Sequence, residues 1–570
     1  MYLKKTTRKF DDRVYLSIVD GFHDPQKKHT RTKTIKSLGF LDELQKEYPD
    51  PIAHFKKIVC EMNEEKKNKS VSLEFDLSNS LTPGDDAKLL GYAPLSKIYH
   101  ELDLHSFFIN RSQNLKVNYN INNIVKLLVF SRILDPSSKK KTYENRNRFF
   151  ENTDFSLDDI YRSLTHINKH RDTAKLWIHN HIPDRNTDLV YYDVTNYYFE
   201  IDEPDELRRK GVSKEHRPDP IIQMGLFTDA EGIPISYNLF PGNTNDCETL
   251  IPQMKDLRRD FGIGRVIVVA DKGLNTAKNC YFNTRNLKNG YIFSQTVRGG
   301  HKELKDYVLE QSDYRVTEEG FKIKSRTYPR EIELESADGK MFKTRIDEKQ
   351  VIFYSPDYDR KAKADRVGAV TKARQLVMNP SKYRQATSYG ASKYVKNLEF
   401  DPKTGEILTV KQKPFFDEAK LREEEKWDGY YAIVSSELDK TDEEIIEIYR
   451  GLWRIEESFK VTKSDLETRP VYVTREDHIQ AHFLICFIAL VIIRLLQKRL
   501  DGKFSVTRII ESLNKAECVY LKENFYLLRY RDDIIDALNS QMNIDITKKV
   551  VRFGELKNIF ANVKKSVIPQ

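Results

Sequence analysis

Residues 265–270 read RVIVVA and run straight into Asp271. An unbroken apolar, β-branched run of this length fits the interior of a sheet, buried on both faces. A carboxylate at its C-terminal end lies where open α/β sheets gather ligands. The neighbouring segments supply the rest of the sheet. Residues 189–199 (LVYYDVTNYYF) are aromatic and β-branched, which predicts a strand. Two more strands are expected at 221–228 and 233–240, joined by the turn DAEG at 229–232. Residues 247–261 and 276–287 read as helices and 291–294 as a strand. The order β-β-β-α-β-α-β predicts a mixed sheet flanked by helices.

A chain of 570 residues is too long for one ordinary hydrophobic core, so several domains are expected. Short β-like runs such as 14–19 come first, and the polar stretch 61–86 reads as a linker. Residues 92–183 are helical in pattern. One helix at 121–134 should stop at Asp135-Pro136, where proline lacks a donor, and another should start after Ser156. Residues 298–427 turn β-rich, polar and irregular and look inserted, because a strand (430–435) and a strong helix (441–463) then resume the α/β rhythm. From 476 onward the chain reads mainly helical, with one candidate strand at 519–528. The greasiest run, FLICFIALVIIRLL at 483–496, contains Arg494 and is too short to span a bilayer, so a buried core helix is expected and no membrane partner.

The formal charge of +9, set against 95 basic and 86 acidic residues, permits a polyanionic partner without requiring one, so local patches decide. Two basic patches stand out. Arg132, Lys139, Lys140, Lys141, Arg146 and Arg148 form the first. Arg208, Arg209, Lys210, Lys214 and Arg217, on the loop between the first two strands of the sheet, form the second. Each fits either phosphate pairing or a solvated charged face. The five cysteines show no C-x-x-C spacing, which excludes a disulfide scaffold and a cysteine zinc site and leaves reduced thiols in the cytoplasm as the expectation. No signal peptide is read at the N-terminus.

Asp193 sits inside an aromatic, β-branched strand, where aspartate is disfavoured without compensation. Asp271 ends its strand, a place where an aspartate also serves as an ordinary helix cap. On the 441–463 helix, Tyr449, Glu456 and Lys463 recur every seven residues and share one stripe at ~100° per residue. Leu452 and Phe459 lie near that stripe and would anchor it, while Glu457 points away. An amphipathic helix with Glu–Lys pairs has the same spacing. Three converging carboxylates, Asp193, Asp271 and Glu456, would suit two Mg²⁺ or Mn²⁺ ions ~3.5–4 Å apart, arranged for in-line phosphoryl displacement. Asp246 is the reserve ligand. Trp453 fits a core position better than a base-stacking one. His478 and His482 are four apart without a third metal ligand, and read as packing or phosphate-contacting residues.

The run YRGLWRIEESFKVTK (449–463) resembles the Tyr-x-x-Arg-x-x-x-Glu-x-x-x-x-x-x-Lys signature of insertion-sequence DDE transposases of the β-strand insertion group. Tyr449, Glu456 and Lys463 match in spacing. The arginine position falls on Leu452, a departure, and the nearby Arg450 and Arg454 are turned off the stripe. YYDVTNYYF, GIPISYNLFPGNTND, VIVVADKGLN, RPVYVTREDHIQAHFLICFIAL and SRILDPSSKKKTYEN are also similar to this group, over most of residues 120–500.

The resemblance implies an α/β multidomain protein with an RNase H-like core. The expected division is an N-terminal β-containing module with linker (1–86), a helical DNA-binding region (87–185) and the first part of the core (186–297). A β-rich insertion (298–428), the second part of the core with the glutamate helix (429–500) and a mainly helical C-terminal region (501–570) complete it. It further implies metal-dependent cleavage at transposon ends and strand transfer into target DNA, with catalytic Asp193, Asp271 and Glu456 holding two Mg²⁺ or Mn²⁺ ions. DNA contacts are expected from Tyr449, Arg450, Arg454, Lys463, Lys210, Lys214 and Arg217. The partners would be double-stranded DNA and a second copy in a synaptic complex, in the bacterial cytoplasm at the nucleoid. A nuclease on the same fold without strand transfer, or a decayed DNA-binding relative, are the alternatives.

Overall fold

In the computed structural model the described residues are 1–570 apart from 9, 25–28, 70–72, 76–77, 79, 81–86, 202, 215–217, 337, 379–390, 392, 397–413 and 566–570, with side chains also left out at 21–24, 29–31 and 64–69. The chain divides into two compact units, Met1–Pro83 and Gly84–Gln570. The first holds an antiparallel sheet of β1 (Tyr2–Thr7), β2 (Val14–Asp24) and β3 (His29–Phe40), with Leu16, Leu44 and Phe55 at the centre of its core. A helix at Pro51–Lys69 corrects the linker expectation in part. The run EEKKNK continues that helix, because glutamate and lysine are good helix formers whatever their polarity.

The second unit opens with β4 (Lys88–Leu89) and a series of helices. The helix Ile121–Leu134 stops before Pro136 as the sequence predicts, and Asn120 caps its start. Ser156 and Asp159 form a capping box on the helix Leu157–Lys169. The sheet follows: β5 (Leu189–Tyr198), β6 (Ile221–Asp229), β7 (Pro234–Pro241), the helix Asp246–Phe261, β8 (Ile267–Ala270), a short helix Ala277–Tyr281 and β9 (Gly290–Gln295). This is the order the sequence predicts. β5 runs antiparallel to β6 and parallel to β8, and β8 parallel to β9. Two cores cover the two faces. Val190, Tyr192 and Val194 of β5 enter one, and Tyr191 and Tyr197 enter the other. Asp193 shares the second parity and points to the face of Tyr191 and Tyr197.

Residues 298–427 differ from the irregular β-rich block expected. β10 (Arg315–Val316), β11 (Lys322–Glu335) and β12 (Met341–Tyr354) are followed by a long helix, Pro356–Met378, and a small pair, β13 (Val395–Lys396) with β14 (Phe415–Phe416). β12 pairs with β15 (Tyr430–Ser435), which pairs with β9, so the insertion extends the same sheet. The resulting nine-stranded order is β10-β11-β12-β15-β9-β8-β5-β6-β7. The C-terminal region is mainly helical, as expected, with short strands beside the helices. β16 (Glu517–Tyr520), β17 (Phe525–Leu528) and β18 (Val550–Arg552) join β4 in a four-stranded sheet. The single strand expected at 519–528 is a hairpin, turned at Glu523 and Asn524, both with positive φ.

The apolar run lies in the helix Glu476–Arg499, which is long and apolar enough to cross a membrane but is buried along nearly its whole length inside the fold. The helix expected at 441–463 is interrupted. Asp442–Arg450 and Trp453–Lys460 are separate segments, and Val461–Asp465 forms a wider π turn. At the break the hydrogen bonds tighten to the i+3 pattern, Leu452 to Tyr449 and Arg454 to Gly451. Such turns advance ~120° per residue instead of ~100°, so the seven-residue stripe drifts. The cause is contact with the sheet: the Tyr191 hydroxyl donates to the Ile448 carbonyl at 3.0 Å, and a Cβ on Gly451 would lie 1.9 Å from that hydroxyl. The backbone of Gly451 is ordinary right-handed helix, so its requirement is purely steric. Gly451→Ala is expected to destabilise the protein by ~1–3 kcal/mol, read as a lower urea midpoint; an unchanged midpoint contradicts the close approach.

Candidate active site

The register of β5 on β8 is Leu189↔Ile267, Val190↔Val268 and Tyr191↔Val269. Carried two residues further it sets Asp193 beside Asp271, on strands spaced ~4.8 Å apart. β8 pairs with β9 through Ala270↔Phe293, so one further step sets Asp271 beside Ser294. Asp271 precedes a short 3₁₀ turn but makes no side-chain cap hydrogen bond, which argues against the helix-cap reading. Its Oδ1 accepts instead from the Ser294 hydroxyl at 2.7 Å and the Tyr449 hydroxyl at 3.4 Å. The Asp193 carboxylate accepts from the Val194 N–H at 2.7 Å. Burial pushes the Asp193 carboxyl up to about 6, against the opposing pull of the Lys214 ammonium and the Val194 N–H; Asp271 and Asp246 push it further in the same upward direction. Burial also raises the Asp246 carboxyl, again opposed by Lys214. Asp246 begins the helix Asp246–Phe261 and lines, with Lys214, Val194 and Asn196, a cleft of about 350 Å³.

The segment Trp453–Lys460 lies against β5, with Leu452, Ile455 and Phe459 buried, as the anchoring expectation requires. Glu457 turns away and pairs with Arg494 at 2.7 Å. Glu456 is exposed. Tyr449 links it to the aspartates: burial, Asp271 and Glu456 all push the Tyr449 hydroxyl up. Among the described residues no three His, Cys, Asp or Glu side chains are gathered closely enough to hold a metal ion. The structure therefore brings Asp193 and Asp271 together and leaves Glu456 at the rim. The donor chemistry still fits a hard divalent cation, since the site offers carboxylate oxygens and a half-buried Asp193 whose ionised form lacks full compensation.

The remaining site residues divide. Arg450 pairs with Glu447 at 3.7 Å and lies 5.7 Å from the Phe321 ring centre. Arg454 hydrogen-bonds Tyr191 and lines a cleft of about 430 Å³ with Glu457, Arg494 and Lys498. Trp453 borders the same cleft and is 54% exposed, which corrects its expected core placement. The core side of the segment is taken by Leu452 and Ile455, and Trp453 falls outside it. Lys463 lies in the π turn, its ammonium 5.8 Å from the Tyr197 ring centre. On the loop before β6, Lys210 and Lys214 are both exposed, Lys214 donating to the Val194 carbonyl, and Arg217 lies outside the described residues. The patch at 132–148 is divided: Arg132 and Lys139 are buried, Arg146 and Arg148 are half-buried, with Arg148 paired to Asp135 and Glu517, and Lys140 and Lys141 are exposed. His482 is buried against Thr468 and Lys139, and His478 contacts Thr165, both packing roles. The sequence missed Ser294 and the bond from Lys214 to the Val194 carbonyl. The first was accessible through the strand register alone, and the second had no local signal.

The Asp193 shift has a definite sign. A carboxyl held at about 6, against 3.8 ordinarily, binds its proton more tightly in the fold, so ionisation destabilises the fold. The penalty is absent below about pH 4, grows between about 4 and 6, and is complete above. Asp193→Asn is expected to stabilise the metal-free protein by ~2–3 kcal/mol at pH 8 and to change nothing at pH 4. Urea unfolding in EDTA at the two pH values checks it, and equal effects at both would contradict it.

The family model described as "Transposase DDE domain" matches residues 204–492, just over half of the chain, and that described as "IS1634 family transposase, N-terminal domain" matches residues 3–74. No curated protein matches the chain. A cryo-EM structure of the piggyBac transposase synaptic complex with hairpin DNA is similar at 8% identity and a TM-score of 0.37, covering 84% of this chain and 87% of that one. The Mos1 transposase paired-end complex with left transposon end is similar at 12% identity and a TM-score of 0.14, covering 41% and 65%. At these TM-scores neither likeness carries weight. The family matches do, and the chain belongs to the insertion-sequence transposases with a DDE domain.

Proposed function

We propose that the protein excises and inserts its own DNA element by metal-dependent phosphoryl transfer, with Asp193, Asp271 and Glu456 as its catalytic acids. The observation that carries this reading is the juxtaposition of Asp193, midway along β5, and Asp271, just past the end of the parallel β8, with the Glu456 segment lying along β5. The five strands β7-β6-β5-β8-β9, three antiparallel and then two parallel to β5, support an RNase H-like core. The divisions read at 86, 185, 297, 428 and 500 are proposed on the same basis.

Asp193 and Asp271 would hold two Mg²⁺ or Mn²⁺ ions, and Glu456 would complete the set as DNA enters. When bound, the ions activate the attacking oxygen and stabilise the leaving one. Ser294 and Tyr449 donate to Asp271 and so fix the direction of its free lone pairs. Tyr449, with Lys463, Arg450, Arg454, Lys210, Lys214 and Arg217, would hold phosphates of the cleaved end. Water would attack the phosphodiester at each element end, and the freed 3′-hydroxyl would then attack target DNA. Two ends must be held together, so a homodimeric synaptic complex is the proposed working form, acting on nucleoid DNA in the cytoplasm.

The test is a cleavage assay with duplexes carrying the terminal sequences that flank the gene, in Mg²⁺ and in Mn²⁺. Asp193→Asn, Asp271→Asn and Glu456→Gln are each expected to reduce cleavage by at least 10³-fold, roughly 4 kcal/mol of barrier, and to leave end binding within a few-fold of the parent. Full cleavage by any one of them removes that residue from the set. Adding a target duplex distinguishes joined products, which strand transfer requires, from nicks alone, which indicate a nuclease.

A further inference from the structure

Past the Glu456 segment the chain makes a π turn and then a tight corner, Leu466–Glu467–Thr468, before the long core helix. Glu467 has a φ of +39°, a conformation that L side chains rarely adopt and that the surroundings must hold in place. The corner's own bonds run back into the π turn, Leu466 N–H to the Val461 carbonyl at 2.9 Å and Thr468 N–H to the Thr462 carbonyl at 3.0 Å. Thr462 in turn shares a 2.7 Å hydrogen bond with Tyr197 on β5. The position of the corner therefore sets the register of the whole segment on the strand that carries Asp193.

Three buried basic side chains meet this corner. Arg132, 6% exposed, donates through Nη1 to the Leu466 carbonyl at 3.3 Å and the Glu467 carbonyl at 3.1 Å, and through Nη2 to the Ser137 carbonyl at 2.9 Å. His482 donates from Nε2 to the Thr468 carbonyl at 2.9 Å, which leaves Nδ1 as the acceptor for the Lys139 ammonium at 3.1 Å. Burial, with Lys139 and Arg132 nearby, holds the His482 imidazole well below its ordinary value, in agreement with this neutral tautomer. Among the described residues no carboxylate pairs with Arg132 or Lys139, and both turn to backbone carbonyls and one imidazole. One guanidinium nitrogen bridging two successive carbonyls while the other donates to Ser137 forms a geometry that lysine, a single point donor, does not reproduce.

We propose that Arg132, supported by the Lys139–His482 pair, is the positioning residue of the Glu456 segment: it fixes the 466–468 corner and thereby the π turn carrying Lys463 and the register of Glu456 on β5. The inference rests on the reading of Glu456 as a catalytic acid. It also gives the helical region before the sheet a role in the site, because Arg132 ends the Ile121–Leu134 helix and Lys139 begins the Lys139–Glu144 helix. Two of the basic residues of 132–148, Arg132 and Lys139, thus serve the active site from within, while Lys140 and Lys141 are exposed to solvent.

Hydrogen exchange of the full-length protein, read together with cleavage of the terminal-sequence duplex, tests the proposal in Arg132→Met, Arg132→Lys and Lys139→Met. The expected result is at least tenfold faster exchange of the amides of residues 461–468 with β5, β8 and β9 unchanged. Turnover (kcat) should fall at least tenfold while KM for the duplex changes less than threefold, with Arg132→Lys intermediate. If Arg132→Met fails to fold, seen as exchange throughout the sheet, the other two variants carry the same readouts. Unchanged exchange at 461–468 in a folded variant overturns the proposal, as does a parallel loss of duplex affinity and turnover. Full cleavage by Glu456→Gln would instead overturn the reading beneath it, and would leave the exchange result standing as a structural clamp without a catalytic purpose.

Discussion

The parallel pairing of β5 with β8 is the constraint on which the rest of the site depends. A parallel ladder fixes the two strands in one register, so Asp193 midway along β5 meets Asp271 at the C-terminal end of β8 without any loop to position it. The same ladder continued to β9 delivers Ser294 to the far side of Asp271. Holding Asp193 there costs the fold stability, as its raised carboxyl shows. Two apolar cores on opposite faces of β5 offset that cost, with Val190, Tyr192 and Val194 in one and Tyr191 and Tyr197 in the other.

β5 also sets the place of the third acid. Tyr191 and Tyr197, on the face of Asp193, grip the glutamate segment through Ile448 and Thr462. The two tyrosines are six residues apart on a strand, about 20 Å at ~3.3 Å per residue. Their partners are fourteen residues apart along a near-helical path, about 21 Å at 1.5 Å per residue. The lengths agree, so strand and segment run side by side. Gly451 permits the contact at one end, and the π turn absorbs the mismatch of turn at the other. Glu456 lies between two fixed points, which leaves its side chain free at the rim while its backbone is held.

Much of this was legible in the sequence, for identifiable reasons. Strands with strong apolar or aromatic content, such as 189–199 and 265–270, and helices with a proline stop or a serine cap, such as those at 121–134 and 157–169, carry their signal locally. The pairing of Asp193 with Asp271 followed from strand order. The break at Gly451 did not, because its cause is a tyrosine some 260 residues away; a glycine and a leucine in a helical pattern look the same whether or not a hydroxyl presses on them. Trp453 was misplaced for the same reason: an aromatic residue at helical spacing reads as core until the drifted turn puts it outside. Charge was the least legible property. Arg132 and Lys139 read as surface cations, yet each turns inward, to backbone carbonyls or an imidazole, a choice made by tertiary packing alone.

The insertion bears on the site through hydrogen bonds of the sheet itself. Ser325, Val351, Ile433 and Ser294 form one continuous cross-strand row over β11, β12, β15 and β9, and Ser294 ends that row on Asp271. Beyond the sheet, Asp428 is buried between Arg298 and Arg366, tying the Pro356–Met378 helix to the strand that follows the insertion. Tyr358, Trp427 and Tyr431 are thereby held beside Asp271 and Tyr449, where they line a cleft of about 330 Å³. A separate domain on a flexible tether could supply the same side chains but not the same fixed distance from the carboxylate. Because the insertion grows out of the sheet edge, the wall of the cleft and the acid at its base belong to one ladder. Displacing either requires bending strands that both cores hold flat against them.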